Sequence, residues 1–144
     1  NYVKTHGMIL HKMIAERLKG TGRKVHLIHG LVETEDRELI RKITEEEKDS
    51  VIVASYGTFS TGTNIKHLHN VVGASPTKSQ IRLLQSIGRG LRLGEFKDTC
   101  TYYDIIDDLR YANYVNFALK HYEERVRIYN EEKFSIKSIN IGLR

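Results

Sequence analysis

Short apolar runs alternate along this chain with longer segments whose apolar residues recur every three or four positions. The runs at residues 25–29, 51–54, 70–73 and 101–106 predict strands, and residues 2–4 resemble the end of another strand. The run at 51–54 has no polar interruption, which is typical of a strand buried on both faces. Strands that alternate with helices predict an α/β fold with a mostly parallel sheet, arranged as a three-layer α/β/α sandwich.

Two helix-like segments with apolar stripes lie between these strands, one between residues 4 and 25 and the other between residues 29 and 51. One ends at the glycine-rich segment 19–22, which suits a helix C-cap, and the other begins at Thr34, where Glu35 and Asp36 favour the positive end of the helix dipole. The residues predicted to face the core are Leu10, Ile14 and Leu18 in the first helix and Leu39, Ile40 and Ile43 in the second.

The character of the chain changes after Asp108, so we predict one domain at residues 1–108 and a C-terminal extension at 109–144. The extension carries an apolar seam that predicts a long helix, with Arg125 among the charged residues off the seam. That helix either docks on the domain or packs on a partner or another domain. Residues 134–139 alternate in polarity and predict an edge strand. The seam consists of Val115, Leu119, Tyr122, Val126 and Tyr129.

Composition limits the class of protein more than it selects a function. The chain has 144 residues, 40% hydrophobic and 28% charged, which indicates a globular domain. No apolar run approaches the length of a bilayer span, so we expect a cytoplasmic protein and no membrane partner. The formal net charge of +5 is compatible with nucleic acid or nucleotide. The single cysteine, Cys100, lies in the strand-like segment 99–103 and is interpreted as a small buried residue.

The segment at residues 85–92 contains the most distinctive chemistry. On a helix Gln85, Arg89 and Arg92 share one face, where two planar guanidiniums suit the oxygens of a polyphosphate. The alternative is a solvated basic face. No Gly-Lys-Ser or Gly-Lys-Thr phosphate loop occurs anywhere in the sequence, so this chain alone is not expected to hydrolyse ATP.

A second informative segment, residues 54–65, directly follows the apolar run at 51–54. Its hydroxyls and glycines crowd the carboxyl end of a predicted parallel strand, where ligands of open α/β folds bind, although an ordinary polar loop has a similar composition. The pairs His26/His29 and His67/His69 lack a nearby cysteine or acidic ligand in the sequence, so no metal site is predicted.

Taken in order, these segments resemble the second RecA-like domain of superfamily 2 helicases. Residues 85–92 match the motif VI pattern Gln-x-x-Gly-Arg-x-x-Arg at every fixed position, residues 54–65 resemble motif V, and residues 3–7 resemble the tail of motif IV. The runs at 51–62 and 129–134 are most similar to the phage UvsW type of DNA helicase, which remodels branched DNA in recombination and repair. The general resemblance covers residues 1–108, and the phage-type resemblance extends nearly to the C-terminus.

The resemblance implies a site shared with an N-terminal RecA-like domain that holds ATP and most of the Mg²⁺ ligands. Arg89, Arg92 and Gln85 are implied as catalytic residues that act at the γ-phosphate. Gly62 and Asn64 are implied near the nucleotide, although many relatives have an acidic residue at the position of Asn64. Contact with the backbone of branched or single-stranded DNA is implied for Ser55, Tyr56, Gly57, His29 and Gly30.

Two other functions remain open from the residues alone. A non-catalytic RecA-like module that binds nucleic acid or nucleotide would share the basic charge and the missing phosphate loop. A small metabolic α/β enzyme would need a nucleophile or base that the sequence does not offer. The complete set of Gln85, Arg89 and Arg92 favours the motor domain over both.

Overall fold

A computed structural model of the chain describes residues 3–28, 34–47, 49–56, 69–75, 100–111 and 114–142. In chain order the elements are a π-helical turn at Val3–Gly7, α1 at Met8–Arg17, β1 at Lys24–Ile28, α2 at Thr34–Glu46, β2 at Ser50–Ala54, β3 at Asn70–Gly73, β4 at Thr101–Asp104 and α3 at Phe117–Glu131. Every strand pairing in these ranges is parallel, which confirms the mixed α/β fold. Within them, each helix is too short or too polar to span a bilayer.

The start of the chain is helical, so the prediction of a strand end at residues 2–4 is wrong for the residues described. Val3–Gly7 runs directly into α1, whose stripe residues Leu10, Ile14 and Leu18 are half-buried, as predicted. Gly20 and Gly22 have φ angles of 85° and 79°, in the left-handed region that glycine adopts without strain. The glycine-rich segment therefore ends α1 as its sequence indicates.

The first strand pair joins β1 to β2, with Lys24 opposite Ser50 and Ile28 opposite Ala54. The core beneath this pair contains Ile28 of β1 and Ile43 of α2, which are 3% and 6% exposed. Ile52 and Ala54 pack against them. The prediction that Ile43 faces the core is confirmed. Leu39 is 49% exposed, so its predicted burial is wrong, and the side chain of Ile40 lies outside the described residues.

The second pair joins β3 to β4, with Asn70 opposite Thr101 and Gly73 opposite Asp104. Strand β4 ends at Asp104, two residues before the predicted end at residue 106. The shorter strand matches the length of its neighbour β3, because ladder hydrogen bonds require a partner backbone. Cys100 immediately precedes β4 and is half-buried, and burial raises the pKa of its thiol.

The predicted C-terminal helix is confirmed as α3, but the predicted edge strand after it is wrong. Residues 134–142 form no strand, and Ile139 and Ile141 are 70% and 81% exposed. Alternating polarity forms a strand only where a sheet edge supplies hydrogen-bond partners, and no described strand pairs with this segment. The chain leaves α3 through Lys133, whose φ is 59°, and Phe134 then contacts the Tyr129 ring at a centroid distance of 6.5 Å.

Candidate nucleic-acid interface

Ser55 and Tyr56 lie immediately after β2, at the carboxyl end of the first strand pair. Both residues are half-buried. Ligands of parallel α/β sheets bind at this edge because the loops that leave the strands converge there. The structure thus places these two predicted DNA contacts where a ligand site is expected.

The Tyr56 side chain connects the ends of two strands. Its hydroxyl donates a hydrogen bond of 2.7 Å to the carbonyl oxygen of Ser75, which lies two residues after β3. Burial raises the pKa of Tyr56, so the phenol stays protonated and remains a donor at neutral pH. This bond fixes the carboxyl end of β2 beside that of β3, although β2 and β3 belong to different strand pairs.

A buried ion pair lies at the carboxyl end of β4. Arg125 of α3 donates from Nε to Asp104 Oδ2 at 2.8 Å and from Nη2 to Asp104 Oδ1 at 3.1 Å. The Tyr129 hydroxyl donates to the same Oδ2 at 2.8 Å. Arg125 as a whole is 1% exposed, and its side chain and that of Asp104 are 2% and 10% exposed. The fork of Arg125 therefore fixes α3 against the end of β4.

The charges in this cluster stabilise one another. Burial opposes the positive charge of Arg125, but the hydrogen bond and the negative charge of Asp104 outweigh it and raise the pKa of the guanidinium. Burial and then the hydrogen bond to Asp104 raise the pKa of Tyr129, so its hydroxyl stays a donor. The charges of Asp104 and Arg125 also act on the Tyr56 phenol, and the neighbouring Tyr102 side chain partly offsets the rise in the pKa of Tyr56. One polar cluster thus links the carboxyl ends of β2, β3 and β4 to α3.

Arg125 corrects the sequence interpretation, which placed it among the charged residues off the apolar seam. It is buried because Asp104, 21 positions earlier, neutralises it. The sequence carried one signal: Arg125 lies four residues before Tyr129, so the two side chains share a helix face with the seam. Asp104 and Ser75 were also missed, since nothing local marks either one as a partner of a distant side chain.

A second polar cluster lies at the opposite, amino-terminal edge of β1 and β2. Glu47 Oε1 accepts from Lys24 Nζ at 2.8 Å, and Glu47 Oε2 is 2.7 Å from His26 Nε2. The hydrogen bond from Lys24 and then that from His26 lower the pKa of Glu47, and the same carboxylate raises the pKa of Lys24. Sequence reasoning missed Glu47 as the acidic neighbour of His26. Among the residues that the structure describes, no three His, Cys, Asp or Glu side chains come together as a metal site.

The other predicted site residues lie outside the described residues, and their roles stay predictions. They are the catalytic set Gln85, Arg89 and Arg92, the nucleotide set Gly62 and Asn64, and the DNA set Gly57, His29 and Gly30. From the predicted set, the structure therefore places Ser55 and Tyr56 at the end of β2. Tyr56 bonds to Ser75, and the charges of Asp104 and Arg125 act on its phenol.

Comparison with known proteins agrees with this architecture. The family model described as the helicase conserved C-terminal domain matches residues 1–94. The chain is 39% identical over 142 residues to the ATP-dependent DNA helicase uvsW of Enterobacteria phage T4, covering 90% of this chain and 28% of that protein. It is also 31% identical over 103 residues to IRC3 of Saccharomyces cerevisiae, covering 72% of this chain and 14% of that protein.

A solved structure shows the same relationship. The crystal structure of T4 UvsW matches with a TM-score of 0.67 at 39% identity, over 90% of this chain and 28% of the UvsW chain. The chain thus spans less than a third of the length of the relatives it matches. By the family match and by these identities, the chain belongs to the helicase conserved C-terminal domain family.

Proposed function

We propose that this chain is the second motor domain of an ATP-dependent DNA helicase that remodels branched DNA in recombination and repair. The observation that carries the proposal is the family match over residues 1–94, a range that includes the complete set of Gln85, Arg89 and Arg92. The position of Ser55 and Tyr56 at the carboxyl edge of the strands supports a ligand site on the same domain.

The proposed contacts with the nucleotide are made mainly by two arginine side chains and one glutamine side chain. Arg89 and Arg92 would hold the γ-phosphate of ATP, with Gln85 at the same interface and with Gly62 and Asn64 near the nucleotide. The guanidinium donors fit a polyphosphate. Mg²⁺ in nucleotide sites usually binds through one or two carboxylates and the substrate phosphates, and a first RecA-like domain, which would hold most of the nucleotide, is proposed to supply those carboxylates. Bound Mg²⁺ would neutralise charge on the phosphates.

The proposed contacts with DNA lie at the carboxyl ends of the strands. Ser55 would contact the phosphate backbone through its hydroxyl, and His29 through its imidazole. The Tyr56 hydroxyl already donates to Ser75, so Tyr56, like Gly57 and Gly30, would donate from its backbone N–H. The bond from Tyr56 to Ser75 supports this role because it fixes the main chain at the point where the DNA-contacting segment begins. Preorganised donors lose less conformational freedom when they bind.

The cluster of Asp104, Arg125 and Tyr129 would make β4 and α3 move as one rigid body in the proposed motor. Closure would bring Arg89 and Arg92 against the nucleotide held by the first RecA-like domain. The end of β4 would then move together with α3, because Arg125 binds Asp104 through two hydrogen bonds. Ser55 and Tyr56 would move as part of the same body, since Tyr56 bonds to Ser75. Domain closure would in this way be transmitted to the DNA backbone.

The arginine role is tested by Arg89→Ala in a protein that carries both motor domains. We expect DNA-stimulated ATPase turnover to fall about a thousandfold, the scale of an arginine finger, with an unchanged far-UV circular dichroism spectrum. Arg127→Ala is the matched control, because Arg127 is an exposed arginine on α3 with its side chain 80% exposed. Turnover that is unaltered in Arg89→Ala would refute the catalytic assignment.

A non-catalytic binding module is the alternative outcome. ATPase activity stimulated by DNA is measured for this chain alone and for this chain joined to a first RecA-like domain. The motor proposal expects activity only in the joined protein. Binding without turnover in both would identify the module. Turnover and unwinding on forked and linear DNA, compared in the joined protein, test the proposed preference for branched substrates.

A further inference from the structure

Two aromatic side chains between β4 and α3, and a third at the first residue of α3, are exposed to solvent. Tyr111, Tyr114 and Phe117 are 84%, 62% and 72% exposed, and we call this group the aromatic turn. Single exposed apolar side chains are common on protein surfaces, whereas a contiguous group marks an interaction site. None of these rings belongs to the cluster around Asp104.

The backbone holds the two tyrosines as a facing pair. The N–H of Tyr111 donates to the carbonyl of Tyr114 at 3.2 Å, and the N–H of Tyr114 donates to the carbonyl of Tyr111 at 2.9 Å. Residues that exchange both bonds lie directly opposite each other in an antiparallel ladder, and their side chains share one face. The side chains of Tyr111 and Tyr114 therefore project from the same face of the backbone.

Side-chain hydrogen bonds stabilise the segments before and after this turn. Asn116 donates from Nδ2 to the carbonyl of Asp107 at 2.7 Å, and its Oδ1 accepts from the N–H of Leu109 at 3.4 Å. Arg110 Nε donates to both carboxylate oxygens of Asp108, at 2.8 and 3.1 Å. Residues that are already held by such bonds need little further ordering when they bind a ligand.

The charge around the rings suits an anionic partner with flat apolar faces. From Leu109 to His121 the sequence contains two cations, Arg110 and Lys120, and no acidic residue. Asp108 balances Arg110, whereas Lys120 Nζ lies 6.0 Å from the centroid of the Phe117 ring. Nucleic-acid bases stack on aromatic rings regardless of sequence, and a neighbouring cation attracts the phosphates.

We propose that the aromatic turn is a base-stacking site for single-stranded DNA. The turn follows the carboxyl end of β4, just as Ser55 and Tyr56 follow that of β2. The bond from Tyr56 to Ser75 ties the end of β2 to that of β3, the parallel neighbour of β4. This inference rests on the proposed function, since it takes DNA as the substrate. The inference adds a contact with DNA bases to the proposed contact with the DNA backbone.

The test distinguishes contacts with DNA bases from contacts with DNA phosphates. Binding is measured by fluorescence anisotropy in a protein with both motor domains, without nucleotide, using a labelled oligothymidylate and an abasic strand of the same length. The Tyr111→Ala, Tyr114→Ala double variant is expected to bind oligothymidylate about five- to a hundredfold more weakly, from the value of one or more lost stacking contacts. Its affinity for the abasic strand should change less than about twofold, because that strand offers no base to stack.

Two controls keep the result specific. Tyr111→Phe with Tyr114→Phe retains the rings and should bind like the wild type. Ile139→Ala with Ile141→Ala removes exposed apolar side chains outside the turn and should also leave binding unchanged.

Three outcomes would overturn the inference. They are unchanged affinity for oligothymidylate, an equal loss on both strands, and retained DNA binding with weakened association between the two motor domains, which would make the turn a protein contact. Failure of the proposed function is a separate result, because it appears as the absence of DNA-stimulated ATPase in the wild type.

Discussion

The buried pair of Asp104 and Arg125 supports a quantitative prediction about stability. Asp104→Asn preserves the size of the side chain but removes its charge, which leaves a guanidinium that is 2% exposed without a counterion. Breaking a buried pair from one side costs about 3–5 kcal/mol, because the remaining charge recovers neither its partner nor water. That is a large fraction of the roughly 5–15 kcal/mol that stabilises a typical domain.

The geometry explains why an amide cannot substitute for the carboxylate. Asp104 Oδ2 accepts from Arg125 Nε and from the Tyr129 hydroxyl, and Oδ1 accepts from Arg125 Nη2. In either orientation, the amide nitrogen introduced by Asp104→Asn would place a donor against a donor. We therefore expect a loss of about 3–5 kcal/mol, and the Tyr129 hydroxyl also loses its acceptor when the amide nitrogen takes the place of Oδ2.

The assay is urea unfolding followed by far-UV circular dichroism. The free energy of unfolding should fall by about 3–5 kcal/mol, and the midpoint of thermal unfolding should fall by about 10–20 °C for a domain of this size. Replacing both partners, as in Asp104→Leu with Arg125→Met, should destabilise less than Asp104→Asn alone, because no charge is left buried.

A matched surface pair provides the control. Arg127 and Glu131 are 3.4 Å apart with side chains 80% and 62% exposed, so Glu131→Gln should cost less than about 0.5 kcal/mol. If Asp104→Asn changes the free energy of unfolding no more than Glu131→Gln does, the argument that burial makes this pair essential is refuted.

Three further predictions concern single groups. Tyr56→Phe removes the bond to the Ser75 carbonyl and should lower the free energy of unfolding by about 1 kcal/mol, measured in urea. The hydrogen bond from Lys24 lowers the pKa of Glu47, so its contribution to stability is present above the unfolded pKa of about 4.3 and is lost as pH falls through the folded pKa. Glu47→Gln should reduce the acid dependence of the urea midpoint. Burial raises the pKa of Cys100, so its thiol should react with a disulfide reagent more slowly in the folded chain than in urea.

Each of these predictions has its own contrary result. An unchanged unfolding midpoint in Tyr56→Phe would mean that the Ser75 carbonyl finds water instead. Glu45→Gln, on the exposed surface of α2, is the control for Glu47, and equal flattening of the acid profile in both variants would contradict the specific role of Glu47. Equal reaction rates in the native and unfolded chains would show that the Cys100 thiol is not protected.

The sequence predicted the local elements well because periodicity records which face of a strand or helix is buried. The strands at β1 to β3, the start of α2 at Thr34 and the stripe of α1 all follow from the spacing of apolar residues. The resemblance carried by residues 85–92 predicted the helicase family, which the comparisons confirm. The roles of Arg89 and Arg92 stay predictions.

Two of the errors concern long-range partners. Residues 134–139 alternate like a strand, yet a strand forms only where a neighbouring backbone accepts its hydrogen bonds. Leu39 continues the stripe of α2 but is 49% exposed, because the width of the buried face depends on what packs against the helix.

The sequence by itself thus determined the order of strands and helices and the family, through apolar periodicity and one motif of closely spaced residues. Only the tertiary structure decided that Arg125, a charged residue in a charged part of α3, is among the most buried residues of the described chain. The physical reason is that burying a charge depends on a counterion and on hydrogen bonds, and Asp104 and Tyr129 supply both only after β4 and α3 have packed together.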